Sequence, residues 1–397
     1  MFYRDFHGKQ LSALGFGAMR LPLNEDKTIN EAATAEMVDL AMANGVNYFD
    51  TAFPYHGGMS EIVLGKALAK YPRDSYYLAT KFPGHQIADS YDPAAVFEEQ
   101  LKKCGVEYFD FYLLHNVYEK SAEVYTDEKW NIIPYFLEQK RLGRIRHLGF
   151  STHARPDALK AFLDKVGDDM EFCQIQLNYL DWTLQEAAEK CAILNERNIP
   201  IWVMEPVRGG RLAQLTDAQM AKLDAICPGR SAAEWAFRWI QSIPGVTVTL
   251  SGMSNAEQMR QNIATFDAPS ALSDAENAAL AELAESMKNS IPCTGCRYCC
   301  DGCPMSLDIP ALISALNDIR FGLEGSLTAA MQLEAMPANK QPSCCIGCGC
   351  CEAVCPQNIS IPAALRELAS LKDQLPSWKK ISAQRAAEAK QLREARK

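Results

Sequence analysis

The sequence predicts an α/β protein in which a (β/α)8 TIM barrel is followed by a small, mainly helical domain. In the first part of the chain, eight apolar runs alternate with helical patterns about every thirty residues, as in a parallel barrel. In the last part, eleven of the fifteen cysteines fall between Cys293 and Cys355. We expect the barrel at residues 1–285, the cysteine-rich domain at 286–375 and a charged helical tail at 376–397.

Each barrel strand is predicted from a run that is apolar almost throughout, as in sheets buried on both faces. The runs cover residues 14–20, 47–52, 76–81, 109–115, 145–152, 173–179, 199–207 and 246–252. Amphipathic helices fit between them, and Thr28 with Glu31 has the spacing of a capping box at the first helix. Residues 2–13 predict a hairpin that turns at Gly8-Lys9 and covers the bottom of the barrel.

Composition limits the classes of function that the chain can serve. The 397 residues are 48% hydrophobic and 22% charged, as in a globular protein, and the formal charge of −9 gives no support to nucleic-acid binding. The first ten residues lack the pattern of a signal peptide, and no apolar stretch is long enough to span a bilayer. We therefore expect a cytoplasmic protein, where crowded cysteines indicate metal binding rather than disulfides.

Both cysteine runs read C-x2-C-x2-C-x3-C-P, the spacing of bacterial-type ferredoxins, in which the fourth cysteine binds the other cluster. One [4Fe–4S] cluster is then held by Cys293, Cys296, Cys299 and Cys355, and the other by Cys303, Cys345, Cys348 and Cys351. Paired C-x2-C motifs also form zinc ribbons, but two complete runs with matching prolines favour clusters. Cys300, Cys344 and Cys350 are left over as spare or neighbouring residues.

The segment between the cysteine runs, residues 304–343, predicts helix rather than strand. Its apolar residues recur at three- and four-residue spacing, as in Leu312, Ile313 and Leu316. This pattern resembles the helical dicluster domains that are attached to oxidoreductases, and not the compact β-rich ferredoxin.

Four polar residues lie at or just after the ends of consecutive predicted strands, where barrel enzymes carry their chemistry. Asp50 ends the second strand and Tyr55 follows it, Lys81 ends the third strand, and His115 ends the fourth. A lysine ammonium lowers the pKa of a nearby phenol, and a carboxylate holds that lysine in place. We expect Tyr55 to donate a proton to a carbonyl oxygen that His115 positions, while hydride reaches the carbonyl carbon.

The sequence resembles the aldo/keto reductase superfamily over residues 1–285. The resemblance lies in FGAMRLP, NYFDTAFPYHGGMSEIVLGKAL, ATKF, YFDFYLLH, GRIRHLGFSTH, FCQIQLNY and SGMSNAEQMRQNI. It includes the Asp-Tyr-Lys-His tetrad of that superfamily. With the cysteine-rich end, the chain resembles the bacterial subgroup that fuses this reductase to a C-terminal ferredoxin-type dicluster [4Fe–4S] domain.

The resemblance implies that NADP(H) or NAD(H) lies across the barrel mouth, with Asp50 near the nicotinamide ribose. Ser151 and Gln174 match residues that hold the carboxamide. The remaining implied contacts are Gly252, Gln258 and Asn262 after the eighth strand, and Arg208, Gly209 and Gly210 in the loop that commonly covers the pyrophosphate. The sequence departs from the family at Ser254 and Asn255, where NADPH-specific members carry a cation, and at Met204, where many have an aromatic residue.

The leading hypothesis is an NAD(P)H-dependent oxidoreductase that reduces an aldehyde or ketone, or oxidises the matching alcohol. Its two clusters would transfer electrons to or from a redox partner protein, or sense redox state. Hydride carries two electrons and a cubane accepts one, and no flavin motif is visible to connect the two. The alternative is a nucleotide-binding electron-transfer or sensor protein with little carbonyl reductase turnover.

Overall fold

A computed structural model describes residues 1–86, 88–215, 217–287, 291, 293, 298–320, 323–355 and 359–394. The chain divides into two compact units. The first is Met1–Leu280 together with the end of the chain from Arg385, and the second is Ala281–Gln384. No helix in the described ranges is long and apolar enough to cross a membrane.

The first unit is a closed barrel of eight parallel strands, preceded by a two-stranded hairpin. The hairpin is β1 (Tyr3–Phe6) and β2 (Lys9–Ser12). The barrel strands are β3 (Leu14–Gly17), β4 (Tyr48–Asp50), β5 (Tyr77–Phe82), β6 (Phe109–Val117), β7 (Ile145–Thr152), β8 (Cys173–Gln176), β9 (Ile201–Met204) and β10 (Val246–Ser251). Neighbours in sequence are neighbours in the sheet, and β10 pairs with β3 to close it. The predicted (β/α)8 barrel is confirmed.

Helices connect the barrel strands. They are α1 (Glu31–Ala43), α2 (Ser60–Leu68), α3 (Pro93–Cys104), α4 (Ser121–Thr126), α5 (Ile132–Arg141), α6 (Pro156–Val166), α7 (Asp181–Leu184), α8 (Ala187–Glu196), α9 (Asp217–Asp224), α10 (Ala232–Gln241), α11 (Ala256–Asp267) and α12 (Asp274–Met287). The predicted capping box is wrong, because Asn30 caps α1 by accepting from the Ala33 N–H, while Thr28 bonds to Asp26.

The hairpin packs an aromatic side chain against the inside of the barrel. Phe6 is 2% exposed, and its ring centroid lies 5.1 Å from Trp202 and 5.5 Å from Phe111, in the same buried cluster. The turn residues are His7 and Gly8, both with positive φ, so the predicted turn was one residue too late. A two-residue turn of this kind needs positive φ at both positions, and Lys9 already belongs to β2.

The second unit is built from helices around a separate apolar core. Its helices are α13 (Tyr298–Asp301), α14 (Ile309–Arg320), α15 (Leu323–Ala335), α16 (Cys350–Ala353), α17 (Ile361–Lys372) and the start of α18 (Trp378–Glu394). Leu312 and Leu316 of α14 are buried with Leu365 of α17 in this core. The predicted helical character of residues 304–343 is therefore present. Trp378, at the start of the charged last helix, is only 5% exposed.

Candidate active site

Three neighbouring strands bring the predicted polar residues to one end of the barrel. Asp50 is the last residue of β4, Lys81 lies in β5 and His115 lies in β6. Asp50 is aligned with Ala79, two residues before Lys81, and Lys81 is aligned with Leu113, two residues before His115. Because side chains alternate along a strand, this register places all three on the same face.

Lys81 is the centre of the cluster. Its side chain is fully buried, and Nζ donates to Asp50 Oδ1 at 2.5 Å and to the Thr51 carbonyl at 2.7 Å, with the Tyr55 ring beside it. Burial lowers the pKa of Lys81, but Asp50 and Tyr55 outweigh it, so that the net pKa is raised above the usual 10.5. Lys81 is therefore a fixed ammonium at neutral pH.

Tyr55 lies in the short 3-10 turn Tyr55–Gly58 that follows β4. His56 and Gly57 have positive φ in this turn. The Tyr55 ring stands edge-on to His115 with centroids 5.8 Å apart, and Lys81 Nζ is 5.0 Å from the Tyr55 ring centroid. Burial raises the pKa of Tyr55 above 10, and the opposing effect of Lys81 does not cancel it. The phenol is consequently protonated at neutral pH, as a proton donor must be.

An irregularity in β6 determines the backbone conformation next to His115. The strand continues to Val117, past the predicted end at His115, but its regular pairing with β7 is interrupted between Leu114 and Val117. Asn116 has a φ of 54°, and its N–H donates to Ser151 Oγ at 2.7 Å. The Tyr125 hydroxyl donates to the His115 carbonyl at 2.6 Å. These two contacts fix the peptide unit that joins His115 to Asn116.

A cavity of about 420 Å³, open to solvent, adjoins the tetrad. Eight predicted residues line it: Asp50, Tyr55, Gln174, Gly209, Gly210, Gly252, Gln258 and Asn262. Gln174 is 3% exposed, and its Oε1 accepts no hydrogen bond from the described residues. Asp50 Oδ2 is an acceptor of the same kind. A carboxamide and a ribose hydroxyl supply the donors that these two oxygens lack.

Two glycines allow segments at the cavity to approach each other closely. A Cβ at Gly17 would lie 3.1 Å from the Ser251 carbonyl oxygen, and one at Gly252 would lie 3.2 Å from the Arg20 side chain. Met204 lines the same cavity, where it offers a thioether rather than an aromatic face. The lining residues therefore fit a nicotinamide dinucleotide.

Two of the predicted cofactor contacts do not line the cavity. Arg208 is buried, and its Nε donates to Asp181 at 3.0 Å, so its guanidinium is engaged away from the opening. Ser151 is aligned with Gln174 on the adjacent strand, but its Oγ accepts from Asn116. A serine hydroxyl that accepts one hydrogen bond still has its own proton to donate.

The sequence reasoning missed three residues at this end of the barrel. Arg20 and Glu205 line the cavity, and the ring of His85 lies 4.4 Å from the ring of His115. Glu205 directly follows β9, so the strand-end rule that selected the tetrad could have found it. Arg20 and His85 lie three residues beyond their strands, where only the folded loop shows which way they turn.

The second unit contains a much smaller cavity of about 20 Å³. Cys303, Cys345, Cys348 and Cys351 line it together, which is the set predicted to hold one cluster. The Leu307 N–H donates to Cys303 Sγ at 3.5 Å. Of the other predicted set, Cys299 is buried in the helical core, with Cys293 and Cys355 packed against it. Cys296 lies outside the described residues.

The described cysteines do not form a compact metal-binding group. No three His, Cys, Asp or Glu side chains within the described ranges stand close enough to hold a metal ion. Of the leftover cysteines, Cys344 donates to the Ala338 carbonyl at 3.4 Å, and Cys350 interacts with Cys348.

Comparison with known proteins agrees with the barrel and its site. A family model described as "Aldo/keto reductase family" matches residues 13–285. An uncharacterised oxidoreductase of Bacillus subtilis, YqkF, is 27% identical over 65% of this chain and 88% of its own. The NADH-specific methylglyoxal reductase of Escherichia coli is 22% identical over 62% of this chain and 85% of its own.

The crystal structure of the thermostable aldo-keto reductase Tm1743, in complex with the inhibitor epalrestat, has the same fold. It superposes with a TM-score of 0.59 at 22% identity, and covers 71% of this chain and all of Tm1743. The family model matches more than half of the residues, and the relatives are named as oxidoreductases or reductases. The chain is therefore an oxidoreductase-type enzyme and belongs to the aldo/keto reductase family.

Proposed function

We propose that this protein reduces an aldehyde or ketone with NADH or NADPH, or oxidises the matching alcohol in reverse. The observation that carries the proposal is the position of Lys81, which donates to Asp50 and lies 5.0 Å from the centre of the Tyr55 ring, while His115 also contacts that ring. This arrangement holds a protonated phenol beside a large open cavity. It is suited to deliver a proton to a carbonyl oxygen.

Each residue of the tetrad has a separate role in the proposal. Tyr55 is the general acid, Lys81 stabilises the phenolate that remains after proton transfer, and Asp50 keeps Lys81 charged and in place. The His115 imidazole hydrogen-bonds to the substrate carbonyl and orients it toward the Tyr55 hydroxyl. Bound NAD(P)H supplies the hydride.

The cofactor contacts are proposed from the residues that line the cavity. Gln174 and Ser151 would hold the carboxamide, Asp50 the nicotinamide ribose, and Gly209, Gly210, Gly252, Gln258 and Asn262 the rest of the dinucleotide. Ser254 stands where a cation would meet a 2′-phosphate, and its hydroxyl donates to the Arg20 carbonyl at 2.9 Å. Arg260 is exposed and pairs with Glu257 at 3.6 Å. This favours NAD(H) over NADP(H).

A Tyr55→Phe variant tests the proposal. Loss of the general acid should lower kcat for carbonyl reduction by roughly 10²–10⁴-fold, while NADH binding persists. Tyr112→Phe is the matched control, because Tyr112 is a buried barrel tyrosine whose hydroxyl bonds to Gln100. Undiminished reduction by Tyr55→Phe would exclude Tyr55 as the acid.

We further propose that the second unit, with boundaries near residues 286–375, is a ferredoxin-like domain with two [4Fe–4S] clusters. The cavity shared by Cys303, Cys345, Cys348 and Cys351 supports this, and the remaining predicted ligands would hold the other cluster. The clusters would supply one-electron transfer or redox sensing, with a redox partner protein. Thiolate ligands require a reducing compartment, so we also propose a cytoplasmic location.

The alternative function is a nucleotide-binding electron-transfer or sensor protein with little carbonyl reductase turnover. The cysteine-lined cavity favours it, because hydride chemistry alone does not require clusters. Steady-state assays on anaerobically purified protein separate the two functions. Reduction that depends on Tyr55 supports the enzyme, whereas nucleotide binding with a turnover that Tyr55→Phe does not alter supports the sensor.

A further inference from the structure

Glu205 directs a carboxylate into the cavity from the end of β9. Its backbone has a φ of 54°, which is strained for a residue with a side chain. Buried groups hold this conformation, since the Glu205 carbonyl accepts from Asn178 Nδ2 and from the Arg208 N–H, each at 3.0 Å. The placement of the carboxylate is therefore built into the fold.

Among the described residues, Gly209 and Arg20 supply donors to the Glu205 carboxylate there. One oxygen accepts from the Gly209 N–H, and the other lies 3.4 Å from Arg20 Nη2. A backbone N–H and a guanidinium are also the donors that bind phosphate oxygens. We call this pair of donors the Arg20–Gly209 anion site.

Arg20 is held in position by the segment after β10. Its side-chain stem lies over Gly252, where a Cβ would be 3.2 Å away, and its carbonyl accepts from Ser254 Oγ. Arg20 therefore belongs to the same surface as the proposed dinucleotide contacts, although it is 234 residues away from Ser254 in sequence.

The importance of the Arg20–Gly209 anion site follows from the charged side chains that line the cavity. Among the described side chains that line it, the charged ones are Arg20, Glu205 and Asp50, and Asp50 is matched by Lys81. Arg20 is thus the cation that these side chains offer to an anionic dinucleotide. Glu205 is a nearby anion that binds the same cation.

We propose that Glu205 competes with the pyrophosphate of the dinucleotide for the Arg20–Gly209 anion site, and so sets the affinity of the enzyme for its cofactor. The inference rests on the proposed function in taking this cavity as the dinucleotide site. Glu205 is a specificity-determining residue here, because it penalises a ligand in proportion to the negative charge placed beside Arg20.

Calorimetric titration of the full-length protein with ADP-ribose tests the proposal, since this probe carries the pyrophosphate without the nicotinamide. Glu205→Gln keeps an acceptor for the Gly209 N–H but removes the charge, and should tighten ADP-ribose binding by about tenfold. Arg20→Gln should weaken it by about tenfold. In the Arg20→Gln background, the gain from Glu205→Gln should shrink, because the released cation is no longer present.

Two controls separate this effect from general electrostatics. Adenosine, which has no phosphate, should bind all variants equally. Glu257→Gln removes an exposed carboxylate that pairs with Arg260, and it should leave ADP-ribose affinity unchanged. Unchanged or weaker ADP-ribose binding by Glu205→Gln would overturn the inference, and weaker binding would instead mark Glu205 as an acceptor for a ribose hydroxyl.

A failure of this inference can be distinguished from a failure of the proposed reductase function. If Glu205→Gln tightens ADP-ribose binding but no carbonyl is reduced, the inference stands and the reductase function fails. If carbonyl reduction depends on Tyr55 while Glu205→Gln does not alter ADP-ribose affinity, the inference alone fails.

Discussion

The barrel and the cysteine-rich unit place their functional side chains in different surroundings. In the barrel, Lys81 is fully buried and donates to Asp50 and to the Thr51 carbonyl, with the Tyr55 ring beside it. In the second unit, the apolar core is made by helices such as α14 and α17, while Cys348 is exposed beside a cavity. The barrel site is thus organised by hydrogen bonds and an ion pair within the chain, whereas four of the cysteines line a small cavity.

The largest expected effect is on iron content, and it tests the proposed cluster ligands of the cysteine-rich unit. Anaerobically purified protein should contain about eight iron atoms per chain, and Cys348→Ser should lower this to about four. Cys350→Ser is the matched control, because Cys350 does not line the cavity although it interacts with Cys348. Equal iron loss in both variants would contradict the ligand assignment.

For the barrel site, we expect a large loss of stability when the buried Lys81 side chain is replaced. Lys81→Met leaves Asp50 buried without its partner, which should lower the free energy of unfolding by about 3–5 kcal/mol in urea titrations. Lys66→Met is the control, because the Lys66–Glu31 pair at 3.0 Å is exposed and should contribute less than about 1 kcal/mol. Similar losses in both variants would show that burial does not distinguish these pairs.

Separate cores predict separate effects of core mutations. Phe6→Ala removes an aromatic ring from the barrel interior and should destabilise that unit by about 3–5 kcal/mol. Leu312→Ala should destabilise the helical unit by about 2–5 kcal/mol. Differential scanning calorimetry should show one shifted transition in each variant, and a common shift of both transitions would mean that the two units unfold together.

The smallest expected effect is on the pH dependence of carbonyl reduction. Because the pKa of Tyr55 is raised above 10 by burial, its phenol stays protonated as pH rises through the neutral range to about 9. The single-turnover rate of reduction should therefore be flat from about pH 7 to 9, whereas alcohol oxidation should increase with pH. A reduction rate that halves below pH 9 would contradict a raised pKa.

Local pattern and strand order were sufficient to predict the barrel. Continuous apolar runs gave all eight strands, since a sheet that is buried on both faces requires them. Residues at the ends of adjacent parallel strands must converge, so Asp50, Lys81 and His115 could be selected from their positions alone. Predictions of smaller features were wrong where neighbouring residues compete for the same role. For example, Asn30 rather than Thr28 caps α1.

What the sequence could not provide are contacts between distant segments and the balance of opposing effects. The approach of Arg20 to Glu205 joins residues 185 positions apart, and no local pattern announces it. The sequence showed that Lys81 would lower the pKa of Tyr55, but not that burial would outweigh it. In the second unit, spacing grouped the cysteines, but neither their burial nor a shared cavity could be read from it.

The hydrogen bond from the Asn116 N–H to Ser151 Oγ connects the two halves of the barrel mouth. Ser151 is proposed to hold the carboxamide, and Asn116 follows the imidazole that would orient the substrate. One hydrogen bond therefore joins the residue proposed for the dinucleotide to the backbone of the residue proposed for the substrate. If the dinucleotide changes substrate affinity through this bond, the substrate must change dinucleotide affinity by the same factor.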